Sequence, residues 1–331
     1  MKIAVIGGVV STKILVQKLH KYPNFTVKIW GYEPPDASLV SGWTNLADLS
    51  KELDYDYQAF VRVDECLPNM QQFAPDIIFA VGLSQLIPNS IIATAKRGCV
   101  GFHPTRLPKG RGRAPIAWIV LDNAPAAATF FIIGEGVDDG QILAQEPFSV
   151  DASDDAATVE IKLLQAEGNA LDLLLPRLAM GYFDGVEQDH AQASWYGRRT
   201  PEDGVIDWHA RACDIARLVR ASTRPHPGAF SYCDDSAVTV WKASVDMRME
   251  KGVTGRILRV ETDNVFVVQC GQGLLRVQHW QAENNWLPRV GQLLGYRSDP
   301  EIHRLRAQVR RLTERIVALE ETCHRRHNSA S

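Results

Sequence analysis

The sequence predicts an α/β protein with a parallel sheet in its first half, a smaller β-rich domain after it, and a long helix at its end. Three observations carry this. Short apolar strands alternate with helical patterns up to about residue 175, which implies a parallel sheet covered on both faces. From Ala229 to about Leu293, short strands follow one another with turn residues between them, the pattern of a small barrel. Residues 300 to 327 return to a helical period with a narrow apolar seam.

The elements follow in order. Lys2 to Ile6 is an apolar strand that stops at Gly7-Gly8, and Ile14, Leu15 and Leu19 share one face of the next helix. Thr26 to Trp30 is the second strand, and Asp76 to Val81, after Pro75, is a buried one. Ile91 to Lys96 reads as helix, and Cys99 to Phe102 as a strand that runs into His103-Pro104. Ligands of such sheets bind at the carboxyl ends of the strands, where this reading places His103. Ala128 to Ile133 is a strand, followed by a loop with three glycines, Gly134 to Gly140, and then a long helix from Thr158 to Leu175. Trp195 to Gly204, rich in Arg, Pro and Gly, reads as a linker. A helix after Asp207-Trp208 runs to about Ser222, and Pro225 and Pro227 end it. Val238 to Ala243, Gly255 to Val260, Val265 to Cys270 and Leu274 to Gln278 are the strands of the second domain. The domain limits are therefore 1–195, a linker at 196–204, a barrel at 205–297 and a terminal coiled-coil helix at 298–327.

Bulk composition removes several classes of function. A net charge of −3 and a pI near 6.3 give no basic footprint for nucleic acid. No apolar run approaches the roughly 20 residues of a membrane span. The first apolar stretch breaks at Gly7-Gly8, so it reads as a core strand rather than a signal peptide. The six cysteines are scattered without zinc or redox spacing, as expected for reduced thiols in a cytoplasmic protein. No metal site is expected: the histidines show no ligand spacing, and His324 and His327 read as a solvated helix face.

The chemistry concentrates in two segments. Gly101-Phe102-His103-Pro104-Thr105-Arg106-Leu107-Pro108-Lys109-Gly110-Arg111-Gly112-Arg113-Ala114-Pro115 brings a histidine from a strand end into a loop stiffened by proline and opened by glycine. A general base and a structural histidine fit this loop equally well. The second segment is Val137-Asp138-Asp139-Gly140. A carboxylate there can orient His103 as in many acyl-transfer sites, or simply make turn contacts.

Together these segments resemble the formyltransferase family, which includes methionyl-tRNA, glycinamide ribonucleotide and sugar-nucleotide formyltransferases. His103, Leu107-Pro108, Arg111-Gly112 and Ala114-Pro115 fit its first motif, and Asp138 before Gly140 fits its second. Arg198 to Trp208, Arg217 to Ala221 and Pro225 to Ala229 are similar to later family segments in the same order, so the resemblance covers roughly residues 1 to 295. It implies a Rossmann-like N-terminal formyltransferase domain, a C-terminal OB-like β-barrel, and N10-formyltetrahydrofolate as formyl donor. It also implies a catalytic pair, His103 and Asp138. The folate would lie along Leu83, Leu86, Ile87, Gly136 and Asp138, and the acceptor along Thr105, Arg106, Arg111 and Arg113. One position departs from the pattern. The family asparagine two residues before the histidine, which stabilises the oxyanion, is Gly101 here. Thr105, protonated His103 or a water stands as its replacement, or the chain binds without catalysing.

Acids and bases are balanced over residues 201 to 300, which disfavours a tRNA acceptor. The loop arginines suit an anionic small molecule, and the expected acceptor is a nucleotide-linked amino sugar of surface-glycan biosynthesis. Alternatives are another amine of the ornithine type, a hydrolase releasing formate, or a folate- or nucleotide-binding relative without chemistry. In the tail, Ile302, Leu305, Val309, Leu312, Ile316, Leu319 and Cys323 recur at spacings of three and four. This a/d pattern predicts a parallel two-stranded coiled coil and a homodimer through residues 302–323.

Overall fold

The computed structural model describes residues 1–37, 40–296 and 298–328, with the side chains of Pro300 and of 321–328 outside the description. Two units divide the chain. The first comprises Met1–Val205, Ala216–Ala229 and Val240–Ala243, and the second Ile206–Ile215, Phe230–Thr239 and the residues from Ser244 onward.

The chain runs β1 (Lys2–Gly7), α1 (Val10–Leu19), β2 (Thr26–Tyr32), α2 (Ala47–Glu52), β3 (Asp56–Phe60), α3 (Leu67–Phe73), β4 (Ile77–Ala80), α4 (Asn89–Ile92) and β5 (Gly98–Thr105). It continues with β6 (Arg111–Gly112), α5 (Pro115–Asp122), β7 (Ala126–Ile132), β8 (Ile142–Phe148), α6 (Ala156–Ala179) and β9 (Trp195–Tyr196). Seven strands form one sheet in the order β3-β2-β1-β4-β5-β7-β8. The first five are parallel, and β7 and β8 close the edge antiparallel.

Strand–helix alternation led to the expectation of a parallel sheet, and that order ends at β5 for a geometric reason. A parallel return needs a crossover about as long as the strand, roughly 26 Å for eight residues. The helix α5 between β5 and β7 has eight residues and spans only about 12 Å. Ala126 therefore pairs with Thr105, where β5 ends, and β7 runs back alongside it.

Both faces of the sheet are buried, which explains why its strands read as unbroken apolar runs. Ile3, Val5, Ile29, Phe79 and Phe130 face Leu15 and Leu19 of α1 and Leu171, Leu174 and Leu175 of α6. The alternate residues Ala4, Ile6, Trp30 and Ile78 face Met70 and Ile91. Asp155 caps α6 by accepting from the Thr158 N–H at 2.9 Å. Glu167 of α6 is wholly buried. Burial pushes its carboxyl up from 4.5 to about 8, with the Ser11 hydroxyl acting weakly in the other direction. The helix expected over Ile91 to Lys96 is only one turn, because the N–H groups of Lys96 and Arg97 go to the carbonyls of Pro75 and Asp76 instead.

The remaining elements are α7 (Ala212–Ser222), β10 (Ala229–Cys233), β11 (Ser236–Asp246), β12 (Ile257–Val260), β13 (Phe266–Gln269), β14 (Leu274–Ala282) and α8 (Ser298–Asn328). The five strands form a separate sheet in the order β10-β11-β14-β13-β12, antiparallel where β13 meets β12 and β14. Phe266, Trp280 and Trp286 pack edge to face over it. Among the described residues, no helix is long and apolar enough to cross a membrane.

Candidate active site

His103 lies inside β5 rather than beyond it, paired with Thr129 of β7, and only 5% of it is exposed. Its Nε2 is 2.9 Å from the Gly110 carbonyl oxygen. A carbonyl can only accept, so Nε2 carries the hydrogen and donates it. The other nitrogen, Nδ1, lies 3.5 Å from Asp138 Oδ2. The same carboxylate oxygen accepts the Gly112 N–H at 2.9 Å.

Asp138 reaches this point by an indirect route. Because β7 is antiparallel to β5, the loop after it leaves the sheet beside Cys99, whose carbonyl accepts the Ile133 N–H. That loop then folds back to His103. Asp138 takes the left-handed conformation, φ +51°, as aspartate tolerates better than most residues. The glycines make room for the reversal: a side chain on Gly136 would collide with the Asp139 carboxylate, and one on Gly140 with the Ile132 carbonyl.

The loop after His103 is tied to its own chain at several points. Thr105 is fully buried and donates its hydroxyl to the Lys109 carbonyl at 2.8 Å. Ser194 accepts the Gly110 N–H on its hydroxyl at 2.9 Å and the Arg111 N–H on its carbonyl at 2.9 Å. Arg111 and Gly112 then pair in parallel with Trp195 and Tyr196, so the stretch expected to be a linker starts as a strand against this loop. Gly112 has φ +106°, and a Cβ there would collide with the Tyr196 carbonyl, so the position calls for glycine. Trp118 of α5 stacks on Tyr196 at 5.1 Å, and the Arg199 guanidinium lies over the Trp118 ring at 5.4 Å.

The three loop arginines separate. Arg111 is 3% exposed; it donates to Gln188 Oε1 at 2.7 Å and lies over the Trp195 ring. Arg106 and Arg113 are exposed. Gln188, itself 5% exposed, donates to the Asp138 carbonyl at 2.9 Å and to the Gly140 carbonyl at 2.7 Å. It thus ties the histidine loop to the aspartate loop. Sequence reasoning missed Gln188 and Ser194, which carry no motif. The adjacent aromatics Trp195-Tyr196 were the one available signal that this stretch packs against something.

Gly101 faces the same side of β5 as His103, two residues away. A Cβ there would stand 2.8 Å from Cζ of Phe131, its cross-strand partner, and 3.1 Å from Cγ1 of Ile133. Apolar side chains therefore fill the position from which the family asparagine would project. Of the replacements named above, Thr105 has no free proton to give, since its hydroxyl is committed to the loop.

The residues expected on the folate side sit on two loops. Leu83 and Ile87, after β4, rest half-buried on the sheet core, whereas Leu86 between them is 91% exposed. Gly136 lies in the other loop, next to Val137, which is 59% exposed.

Sequence profiles decide the family. One described as formyl transferase matches residues 49–175, and one described as formyl transferase, C-terminal domain, matches residues 198–288. The chain belongs to the formyltransferase family. Solved structures agree on the fold. WlaRD, a sugar 3N-formyl transferase crystallised in the presence of dTDP and 5-N-formyl-THF, is 17% identical, with a TM-score of 0.61 over 86% of this chain and 99% of that one. The N-formyltransferase from Helicobacter canadensis, in complex with folinic acid and dTDP-3-aminofucose, is 15% identical, with a TM-score of 0.62 over 84% of this chain and 99% of that one. HypX from Aquifex aeolicus, in complex with tetrahydrofolic acid, is 18% identical, with a TM-score of 0.61 over 88% of this chain. The chain spans only about 45% of the length of the HypX chains it matches.

Proposed function

We propose that this formyltransferase moves a formyl group from N10-formyltetrahydrofolate to the amine of a nucleotide-linked amino sugar, in the cytoplasm. The observation that carries the reading is the buried His103–Asp138 pair, 3.5 Å apart, on the two motifs of a formyltransferase chain. The folate side fits a flat, partly apolar carrier. Leu86 and Val137 expose apolar side chains at 91% and 59% on the two loops, a surface that gains by being covered. Leu83, Ile87 and Gly136 support those loops. When bound, the carrier would supply an activated formyl carbon and leave as tetrahydrofolate when its N10–formyl bond breaks, N10 taking up the proton that the amine gives up.

The chain's own residues then handle the proton. An attacking amine becomes acidic as its nitrogen bonds to carbon. With Nε2–H donated to Gly110, His103 holds its lone pair on Nδ1, and a proton arriving there stands between the ring and the Asp138 carboxylate. Asp138 is oriented by the Gly112 N–H and, through its backbone, by Gln188.

The acceptor is read from charge. Arg106 and Arg113 are exposed beside the loop. A cleft at the start of α5, lined by Ala114, Arg199, Thr200, Ser222 and His226, adds basic groups that suit a diphosphate. Relatives crystallised with dTDP or a dTDP-amino sugar support the same class. Incubating the protein with formyl-folate and candidate nucleotide amino sugars, followed by mass spectrometry, tests the reading. A gain of one formyl mass supports it, and no transfer to any amine overturns it.

One observation favours a second reading. The oxyanion position is apolar, and both ring nitrogens of His103 face groups of the chain itself. A binder of folate or nucleotide without chemistry has no use for an oxyanion donor. Tight binding of both ligands without formyl transfer would establish it.

A further inference from the structure

The terminal helix carries an inference independent of the chemistry. In α8, Ile302 and Leu305 are each 47% exposed, Val309 63%, Leu312 and Ile316 56%, and Leu319 64%. Among the described residues this stripe stays 47% to 64% exposed, more open than a helix face packed down on the chain's own second sheet would be. The six residues follow an a/d heptad along about 26 Å of helix. The flanks are charged or polar: Glu301, Gln308 and Arg315 occupy the g positions, and Arg306, Thr313 and Glu320 the e positions.

We infer that α8 pairs with α8 of a second copy of this chain as a parallel two-stranded coiled coil. Two features select a copy of the chain over an unrelated partner. The g and e positions are complementary to themselves: Glu301 meets Arg306 and Arg315 meets Glu320 across a parallel pair, with neutral Gln308 against Thr313 between them. The seam also has the side-chain shapes of a parallel dimer, with Ile, Val and Ile at a and Leu at every d. Cys323 continues the a positions in sequence, and its side chain lies outside the described residues. Three heptads hold an isolated helix pair weakly, so the association depends on concentration within the working range.

The test uses the full chain, with mass from light scattering over a wide concentration range and circular dichroism to confirm the fold. The wild type forms dimers. Leu312→Glu with Ile316→Glu places charges in the seam on exposed positions that the monomer does not need, and weakens association by about a hundred-fold or more. A wild type that is monomeric throughout, or a double variant that dimerises as well as the wild type, overturns the proposal. Orientation has its own test. Arg315→Glu and Glu320→Arg each weaken a parallel pair, and together they restore it. An antiparallel pair sets g positions against g and e against e, so Arg315 and Glu320 do not meet across it and the combined swap brings no recovery. Failure to recover in the combined variant overturns the parallel arrangement.

Discussion

The loop from His103 to Ala114 and the helix α8 solve opposite problems. In the loop, backbone and side-chain groups are bonded within the chain: His103 to Gly110, Thr105 to Lys109, Gly112 to Asp138, and Arg111 to Gln188. In α8 a line of aliphatic side chains stands 47% to 64% exposed among the described residues. A segment tied at several points tolerates little displacement, so on the proposed function substitutions there are expected to act on chemistry. A segment that leaves its apolar side open acts on association, and substitutions there should leave chemistry alone.

The largest effect expected is on turnover. His103→Ala and Asp138→Asn should each lower formyl transfer by about a hundred- to ten-thousand-fold while thermal melting shows a folded protein. Near-native turnover in folded His103→Ala would erase the contrast between the two regions.

The next effect separates the loop from a buried group that would otherwise confuse pH measurements. Glu167 is neutral in the fold up to about pH 8. Below pH 4.5 both folded and unfolded chains hold its proton. Between 4.5 and 8 only the folded chain does, so stability falls as pH rises through that window and then levels off. Glu167→Gln should remove this slope and raise stability at pH 8 by a few kcal/mol, at about 1.4 kcal/mol for each tenfold difference in proton affinity between the folded and unfolded chains. Little change is expected at pH 4. Parallel melting curves of the variant and wild type at all pH values would show that Glu167 is not the cause.

Gln188 offers a finer cut at the loop. Gln188→Ala removes the tie between Arg111 and the Asp138 loop, and displacement of a catalytic group by about 1 Å can cost about a hundred-fold. A drop of roughly ten- to a hundred-fold in kcat is expected, with a shifted pH profile. Unchanged kcat and pH profile would reduce Gln188 to a structural contact.

Gly101→Asn should not raise turnover, because the new Cβ meets the Phe131 ring at 2.8 Å. A loss of about 1–3 kcal/mol in stability is expected from the crowding. Paired with Phe131→Ala the clash is relieved, and the amide has space beside His103. A large gain in turnover for the single variant would show a donor position that is open rather than filled. The smallest expected effect is none: Leu312→Glu with Ile316→Glu should leave kcat of the folded chain unchanged.

The sequence made the strands, the His103 and Asp138 segments and the tail helix legible, because each is local. Apolar runs mark β1, β2 and β4, and seven positions at heptad spacing mark α8. What it hid depends on partners far along the chain. Phe131 fills the space over Gly101 only because β7 runs antiparallel to β5, and strand alternation pointed to a parallel neighbour. Arg111 read as a ligand-holding arginine, yet its guanidinium is buried against Gln188 and Trp195, more than 70 residues later. Trp195 and Tyr196 sit in a stretch whose composition suggested a connector, and nothing local says that they pair with Arg111 and Gly112.

That pairing gives the site its own optical signal. Trp118 lies flat against Tyr196, with the Arg199 guanidinium over its ring and its indole N–H bonded to the Gly197 carbonyl at 2.9 Å, while Trp195 lies against Arg111. The emission of two of the eight tryptophans is thus sensitive to the charges and distances that hold the histidine loop in place. A ligand that draws Arg199 away, or that moves the loop at all, changes that emission without any label, and occupancy of the cleft becomes readable in real time before the acceptor has been identified.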